Sequence, residues 1–322
     1  MTNPLNPYID LYAKPLGVGD QRPTGFQVVQ DNNAIAAYSG KVVLITGGTN
    51  GIGLETVRAM HATGADVFFT ARDVAKGERV RQDILSKSEG KGKLEVIIMD
   101  MDSLESVRGA ANDFLAKSSK LNVLINNAGI MNTPYSKTTD GFERQFGVNH
   151  LAHFLLTVLL LPALEAAASL DFASRVINVS SSSHRYSQVD FDNYNYTPET
   201  YNGSLAYGQS KTANIWMANY IDRVYGPRGV HGLSLGPGGI WTGLLAFTNT
   251  ETVANFKKDP KVVPNMQSAE QGCATILWAA VGKKTGDFFT AMSSAAASWV
   301  KGQVAEEDRL WELSAKLTGV KA

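Results

Sequence analysis

From residue 41 onward, short apolar runs rich in Val, Ile, Leu and Phe alternate with longer stretches whose apolar positions recur three and four residues apart. The short runs fall at 42–46, 66–70, 94–99, 123–126, 175–180, 230–235 and 287–290 and predict seven strands. The helical period predicts helices over 52–63, 74–88, 104–117, 141–168, 205–225 and 269–281. Strands that lack polar alternation are buried on both faces, so this order implies a parallel sheet joined by right-handed crossovers. The expected fold class is α/β, doubly wound, with a seven-stranded parallel sheet flanked by helices on both faces.

Three segments break the alternation. Residues 1–40 carry Pro4, Pro7, Pro15 and Pro23 among polar residues and read as an N-terminal Pro-rich arm with one short helix before Asn32. Residues 182–203 are polar and rich in Tyr and Asn, and residues 236–266 hold no sustained period. Irregular segments of that length inside a compact α/β domain usually wall or cover a site. Without a composition shift or internal repeat, 41–322 reads as one domain with 182–203 and 236–266 as its substrate loops.

Composition removes several function classes. Thirty basic side chains balance 30 acidic ones in 322 residues, which leaves no excess to hold a nucleic-acid backbone. Cys273 is the only cysteine, so neither an internal disulfide nor a thiolate metal site can form, and a reducing compartment suits the chain. The apolar run 151–170 is interrupted by His153, Pro162 and Glu165, and the first forty residues hold no apolar stretch of leader or anchor length. A soluble, cytoplasmic protein without a membrane span is expected. His150 and His153 stand three apart on a helix without a carboxylate or thiol at ligand spacing, so they read as core or interface histidines and no metal is expected.

The chemistry concentrates in a few places. The first strand runs into Gly47-Gly48-Thr49-Asn50-Gly51-Ile52-Gly53 and then a helix. Glycines there permit a tight turn and close backbone approach to a diphosphate, and the helix N-terminus offers free N–H groups. Tyr207 and Lys211, four apart in a helical pattern, share one face. A phenol ionises near ~10 and needs a neighbouring cation to act near neutrality, which Lys211 can supply. Each feature alone is common in loops or on solvated helices; their context of strand, turn and helix, with the serine cluster 180–183 ending another strand, selects the chemical reading.

In that order, Thr46-Gly-x-x-x-Gly-x-Gly53, Asn126-Asn127-Ala128-Gly129, Tyr207-x-x-x-Lys211 and Pro237-Gly238 resemble the short-chain dehydrogenase/reductase family over about 41–291. Segments 141–157 and 205–214 look most like its retinol-dehydrogenase-like branch. The resemblance implies a Rossmann fold and hydride transfer between a nicotinamide cofactor and a carbonyl or alcohol. It implies a catalytic set of Asn149, Ser181, Tyr207 and Lys211, with Ser181 taken as the second serine after Asn178-Val179 and Ser180, Ser182 and Ser183 left as alternatives. Lys211 would hold the nicotinamide ribose and lower the Tyr207 pKa, and Asn149 would position a relay water. The implied cofactor-binding set comprises Gly47, Thr49, Asn50, Gly51, Ile52 and Gly53 from the turn. To these it adds Asp100 at the adenine amino group with Met101 beside it, Asn127, Ala128 and Gly129 at the ribose, Tyr207 and Lys211. Pro237, Gly238, Ile240 and Thr242 complete it, the last two at the carboxamide. Asn126 and Asn127 have the alternative of simply tying strands together.

The second strand ends Phe68-Phe69-Thr70-Ala71-Arg72, with no carboxylate until Asp73. An NAD enzyme places an acidic residue here and a 2′-phosphate needs a cation, so Arg72 points to NADPH/NADP+ rather than NAD(H). The alternative is an Arg72 paired with Asp73 or Glu78. Tyr186, Tyr194, Tyr196, Tyr201, Trp241 and Phe247 lie in the irregular segments and suggest an apolar substrate pocket, each with the alternative of packing its own loop. His184 can line the cavity or serve a surface loop, and Cys273 reads as a small buried residue. The expected function is NADPH-dependent oxidation or reduction of a fairly apolar small molecule with Tyr207 as general acid/base. A dinucleotide-binding sensor without turnover, and a reductase of activated C=C bonds, are the alternatives. Resemblance also implies a homodimer or homotetramer built through the helices carrying Asn149 and Tyr207.

Overall fold

The structure is a computed structural model and describes residues 7–282 and 302–321. Its main sheet is formed by β1 (Val42–Ile45), β2 (Asp66–Ala71), β3 (Leu94–Ile98), β4 (Val123–Asn126), β5 (Ser174–Val179) and β6 (Val230–Leu235), all parallel, in the order β3-β2-β1-β4-β5-β6. The sheet has six strands, not seven: the run at 287–290 lies outside the described residues. Alternate side chains feed two cores. Val43, Ile45, Val123 and Ile125 pack on one face, while Leu44, Leu124 and Val176 pack on the other. Both faces of β1 and β4 are therefore dry, which is why these strands read as unbroken apolar runs.

Before the sheet come α1 (Ile9–Tyr12) and α2 (Gly25–Asp31); within and after it, α3 (Gly51–Ala62), α4 (Val74–Lys87), α5 (Leu104–Lys117), α6 (Arg144–Phe146), α7 (Ala152–Ala167) and α8 (Gly203–Tyr225). The expected helix over 141–168 is broken. Residues Gly147–Leu151 form one π-turn, and a widened turn of this kind inside a helix often marks a functional position. The most apolar 18-residue window of this run has the length and composition of a membrane span, but 83% of it is buried inside the fold.

Segment 236–266 is not structureless. It contains β7 (Gly239–Ile240), α9 (Thr250–Phe256) and the start of β8 (Met266–Gln267), and β7 pairs in parallel with β8. After it, α10 (Ala269–Gly272) and α11 (Ala274–Val281) replace the single helix expected over 269–281, with Cys273 at the joint.

The N-terminal segment belongs to the core. Val28 and Val29 of α2 are fully buried against the α11 side, and the Tyr8 ring meets Trp278 edge-on at 6.1 Å. On the opposite side, α12 (Val304–Thr318) lies over α7 and α8: Trp311 stacks on Tyr220 at 4.0 Å, and His150 Nε2 lies 2.8 Å from Ser314 Oγ. The face through which the resemblance implied self-association is thus partly covered by the chain's own last helix.

Candidate active site

Strand order reverses between β1 and β4, since β2 and β3 lie to one side and β5 and β6 to the other. In an open α/β sheet the crevice beyond the carboxyl ends at such a switch point is where ligands bind. A cavity of about 570 Å³ lies there. One end is formed by Gly47, Asn50, Gly51, Ile52 and Gly53, the other by Ser181, Tyr207 and Lys211, with Asn127, Ala128 and Gly129 between them. Pro237, Gly238, Ile240 and Thr242 line the side provided by the 236–266 segment. A larger cavity of about 870 Å³ sits across α3, lined by Phe26, Ile35, Glu55, Arg58 and Cys273 among others, and none of Ser181, Tyr207 or Lys211 reaches it.

The glycine turn has the geometry a dinucleotide requires. Gly47 and Gly51 take φ of +69° and +54°. A Cβ on Gly53 would stand 2.2 Å from the Gly47 carbonyl oxygen, so only glycine lets α3 begin this close to β1. The Asn50 side chain caps the Gly51 N–H at 2.8 Å. That leaves the first-turn N–H groups of Ile52 and Gly53 at the cavity wall, where they suit an anion.

A buried node holds the turn in place. Thr46 Oγ1 accepts the backbone N–H groups of Asn127 and Ala128, each at 2.9 Å, and lies 2.8 Å from His153 Nε2. His153 Nδ1 is 2.9 Å from the Asn149 carbonyl oxygen, which can only accept. This network assigns the proton to Nδ1 and makes Nε2 the acceptor of the Thr46 hydroxyl. Burial pushes the His153 pKa down to about 4, consistent with a neutral ring. Asn127 closes the node by donating to the Thr46 carbonyl at 2.8 Å. Asn126 plays the purely structural part, bridging Thr157 and Asn178 below the turn.

The serine candidates separate by their hydrogen bonds. Ser180 and Ser181 both line the cavity, but Ser180 Oγ donates to the Lys211 carbonyl at 2.8 Å and fastens α8 to β5, whereas Ser181 hydrogen-bonds Tyr207 and Ser182 points outward. Burial drives the Tyr207 phenol up to about 12, and the bond from Ser181 only partly offsets it. The expected lowering by Lys211 is not seen. Its ammonium donates to the Val179 carbonyl at 3.0 Å, stands 5.4 Å from the Tyr207 ring centroid, and is itself brought down to about 8 by burial. Asn149 lies at the centre of the π-turn, fully buried. Its Oδ1 accepts the Ile130 N–H, and its Nδ2 donates to the Ile130 carbonyl and Ser210 Oγ, so protein partners use both amide hydrogens and one lone pair of the oxygen.

Thr49, Arg72, Asp100 and Met101 stand outside this cavity wall. Arg72 follows β2, and Asp100 and Met101 follow β3, on the two strands next to β1. Arg72 is exposed and makes no ion pair among the described residues. Its two alternative partners are occupied: Asp73 caps α4 by accepting the Lys76 N–H, and Glu78 holds Arg81 through two bonds of 2.7 and 2.6 Å.

The aromatic residues divide. Trp241 and Phe247 line the cavity, whereas Tyr194 packs on Phe146, and Tyr201 donates to the Thr133 carbonyl and stacks edge-on with Tyr135 and Tyr196. His184 is buried on the Ser181 carbonyl and does not line the cavity. Sequence reasoning missed Leu244, Leu245, Phe256, Val262 and Met266, which add to the apolar wall. Their clustering in an otherwise irregular segment was the available signal.

A doubly wound sheet with a glycine turn at its switch point and a Tyr–Lys helix across the same crevice defines a dinucleotide-binding oxidoreductase. The sequence profile of the short chain dehydrogenase family matches residues 41–252. The chain is 44% identical over 292 residues to short-chain dehydrogenase/reductase prx1 of Penicillium rubens, covering 88% of this chain and 84% of that protein. It is 38% identical over 289 residues to retinol dehydrogenase 11 of Homo sapiens, covering 87% and 86%. A solved structure of an uncharacterized protein from Mycobacterium paratuberculosis superposes with a TM-score of 0.67 at 31% identity, over 88% of this chain and 95% of that one. The chain belongs to the short-chain dehydrogenase/reductase family and is of the retinol-dehydrogenase-like kind.

Replacing Thr46 by Val keeps its shape but removes the acceptor for two N–H groups and the donor to His153. Unfolding in urea is expected to show a loss of ~1–3 kcal/mol, with Thr46→Ser close to wild type.

Proposed function

We propose that the protein is an NADPH-dependent reductase or dehydrogenase acting on the carbonyl or alcohol of a fairly apolar small molecule, with Tyr207 as general acid/base. The observation that carries this reading is the cavity itself: the glycine turn, Ser181 and Tyr207 line one cavity whose remaining wall, from the 236–266 segment, is largely apolar. Arg72, exposed and without an ion pair among the described residues, supports the phosphate-bearing form of the cofactor, because a guanidinium offers a forked, charge-assisted contact.

A nicotinamide cofactor, when bound, would supply the hydride. Ser181 and Tyr207 donate hydrogen bonds to the substrate carbonyl oxygen and polarise it, and Tyr207 passes its proton to that oxygen as it becomes an alkoxide. A phenol held up at about 12 is fully protonated near neutrality, so it enters the reduction as a donor. Lys211, cationic below about 8, stabilises the phenolate that remains. The Asn149–Ile130 bonds hold Gly129 and Ile130 at the floor of the site. Leu245, Phe247 and Phe256 exclude water from the reacting carbonyl and favour an apolar substrate.

Tyr207→Phe is expected to lower turnover at least ~10²-fold while NADPH binding, followed by nicotinamide fluorescence, persists. Normal activity in that variant would remove Tyr207 from the mechanism. Lys211 loses its proton above about 8, so reductive kcat/KM should fall as pH rises through that value, and a profile flat to about pH 10 would exclude its role. Arg72→Ala should weaken NADPH by ~10-fold or more and leave NADH nearly unchanged. Equal loss with both would mean that Arg72 does not meet the phosphate.

A further inference from the structure

The wall of the apolar end is held from the far terminus of the chain. Arg22 is only 5% exposed, although no sheet or long helix carries it. Its Nη1 donates to the Asn265 carbonyl at 3.1 Å, and its Nη2 to the carbonyls of Pro264 at 3.2 Å, Met266 at 2.7 Å and Gly17 at 3.1 Å. Its Nε is paired with Asp20 Oδ1 at 2.8 Å, and the Asp20 carboxylate also accepts the backbone N–H groups of Leu16, Gly17 and Arg22. Gln271 locks the same turn from α10, accepting the Gly19 N–H and donating to the carbonyls of Asp20 and Arg22.

The three consecutive carbonyls that Arg22 gathers belong to the chain entering β8. Met266 lines the cavity, and Gln267 donates to the Pro237 carbonyl at 3.1 Å behind the Pro237-Gly238 turn. Through the β7–β8 pairing, the same grip reaches Ile240. A buried guanidinium satisfied by a carboxylate and backbone oxygens is costly to rearrange, because every lost partner leaves a buried charge or carbonyl unpaired.

We propose that Arg22, set by Asp20, is a positioning residue for the substrate site: the N-terminal segment fixes 262–267 and thereby the apolar wall and the turn beside it. This rests on reading that end of the cavity as the substrate end. The grip bears on where substrate sits rather than on proton transfer, since Arg22 is absent from the cavity lining that contains Tyr207.

The test compares full-length wild type with Arg22→Gln and Arg22→Lys by amide hydrogen exchange without ligands, and by NADPH-coupled kinetics with decanal. In Arg22→Gln, exchange over 262–267 and 239–240 should quicken ~10-fold or more while β4 and β5 keep their protection. KM for decanal should rise ~10-fold with kcat changed less than ~3-fold, and Arg22→Lys should fall between the two. Unchanged exchange in these segments overturns the proposal. So does quickened exchange with an unchanged KM, or a loss confined to kcat. If Arg22→Gln does not fold, Asp20→Asn and Arg22→Lys give the same readings in milder form. A wild type that oxidises NADPH with no carbonyl compound defeats the catalytic reading, whereas the exchange arm still decides whether Arg22 holds 262–267.

Discussion

The Thr46 hydroxyl joins the two halves of the sheet at the point on which the site depends. Strand order reverses between β1 and β4, whose ladder ends with the Thr46 N–H on the Ile125 carbonyl at 3.0 Å; beyond it the two chains turn to opposite sides of the strand order and need a further link. Thr46 supplies that link by accepting the first two N–H groups after β4 and donating to His153. His153 passes the constraint to Asn149 in the π-turn, and Asn149 passes it to Ile130 and Ser210. The glycine turn, the floor of the crevice and the helix carrying Tyr207 and Lys211 are therefore positioned by one contiguous network, buried at Thr46, His153, Asn149 and Ser210. Neutral imidazole is essential to it, because a second ring proton would meet the Thr46 hydroxyl as a competing donor.

Burial sets the chemistry of the pair on α8. Water is excluded from both side chains, which disfavours phenolate and ammonium alike, and the two groups move apart, the phenol up to about 12 and the ammonium down to about 8. Their spacing is a property of the helix, but their ionisation is a property of the cavity. With a lysine whose only described hydrogen-bond acceptor is the Val179 carbonyl, the site keeps donors in reserve for a polar ligand at that end.

The remainder of the site is assembled from distant parts of the chain. Apolar residues of 236–266 would have no fixed place if that segment were held only by its two-residue β7–β8 pairing. Arg22 and Gln271 fasten its far end to residues near position 20, and α2 fastens those to the core through Val28 and Val29. Residues 7–40, polar and Pro-rich in composition, thus combine a core element with a clamp.

Local pattern and motif order determined the sheet, its parallel sense, most helix limits, the glycine turn and the Tyr207–Lys211 face. Each of these follows from the chain's own periodicity or from residues within a few positions of one another. Helix α5 lies at 104–117 as its period requires, and α4 stops one residue short of the expected end. What tertiary structure alone decided involves partners far apart in sequence: the anchoring of Ser180 to α8, the use of Asn149 and His153 as struts, and the division of the loop aromatics, with Trp241 and Phe247 in the cavity wall and Tyr194 and Tyr201 in packing. It also decided the direction of the Tyr207 pKa and the buried place of Arg22. No local pattern encodes these, because desolvation and hydrogen-bond satisfaction depend on which segments come together around a side chain, and a guanidinium flanked by Gln21 and Pro23 reads as a surface residue until residues 264–266 close over it.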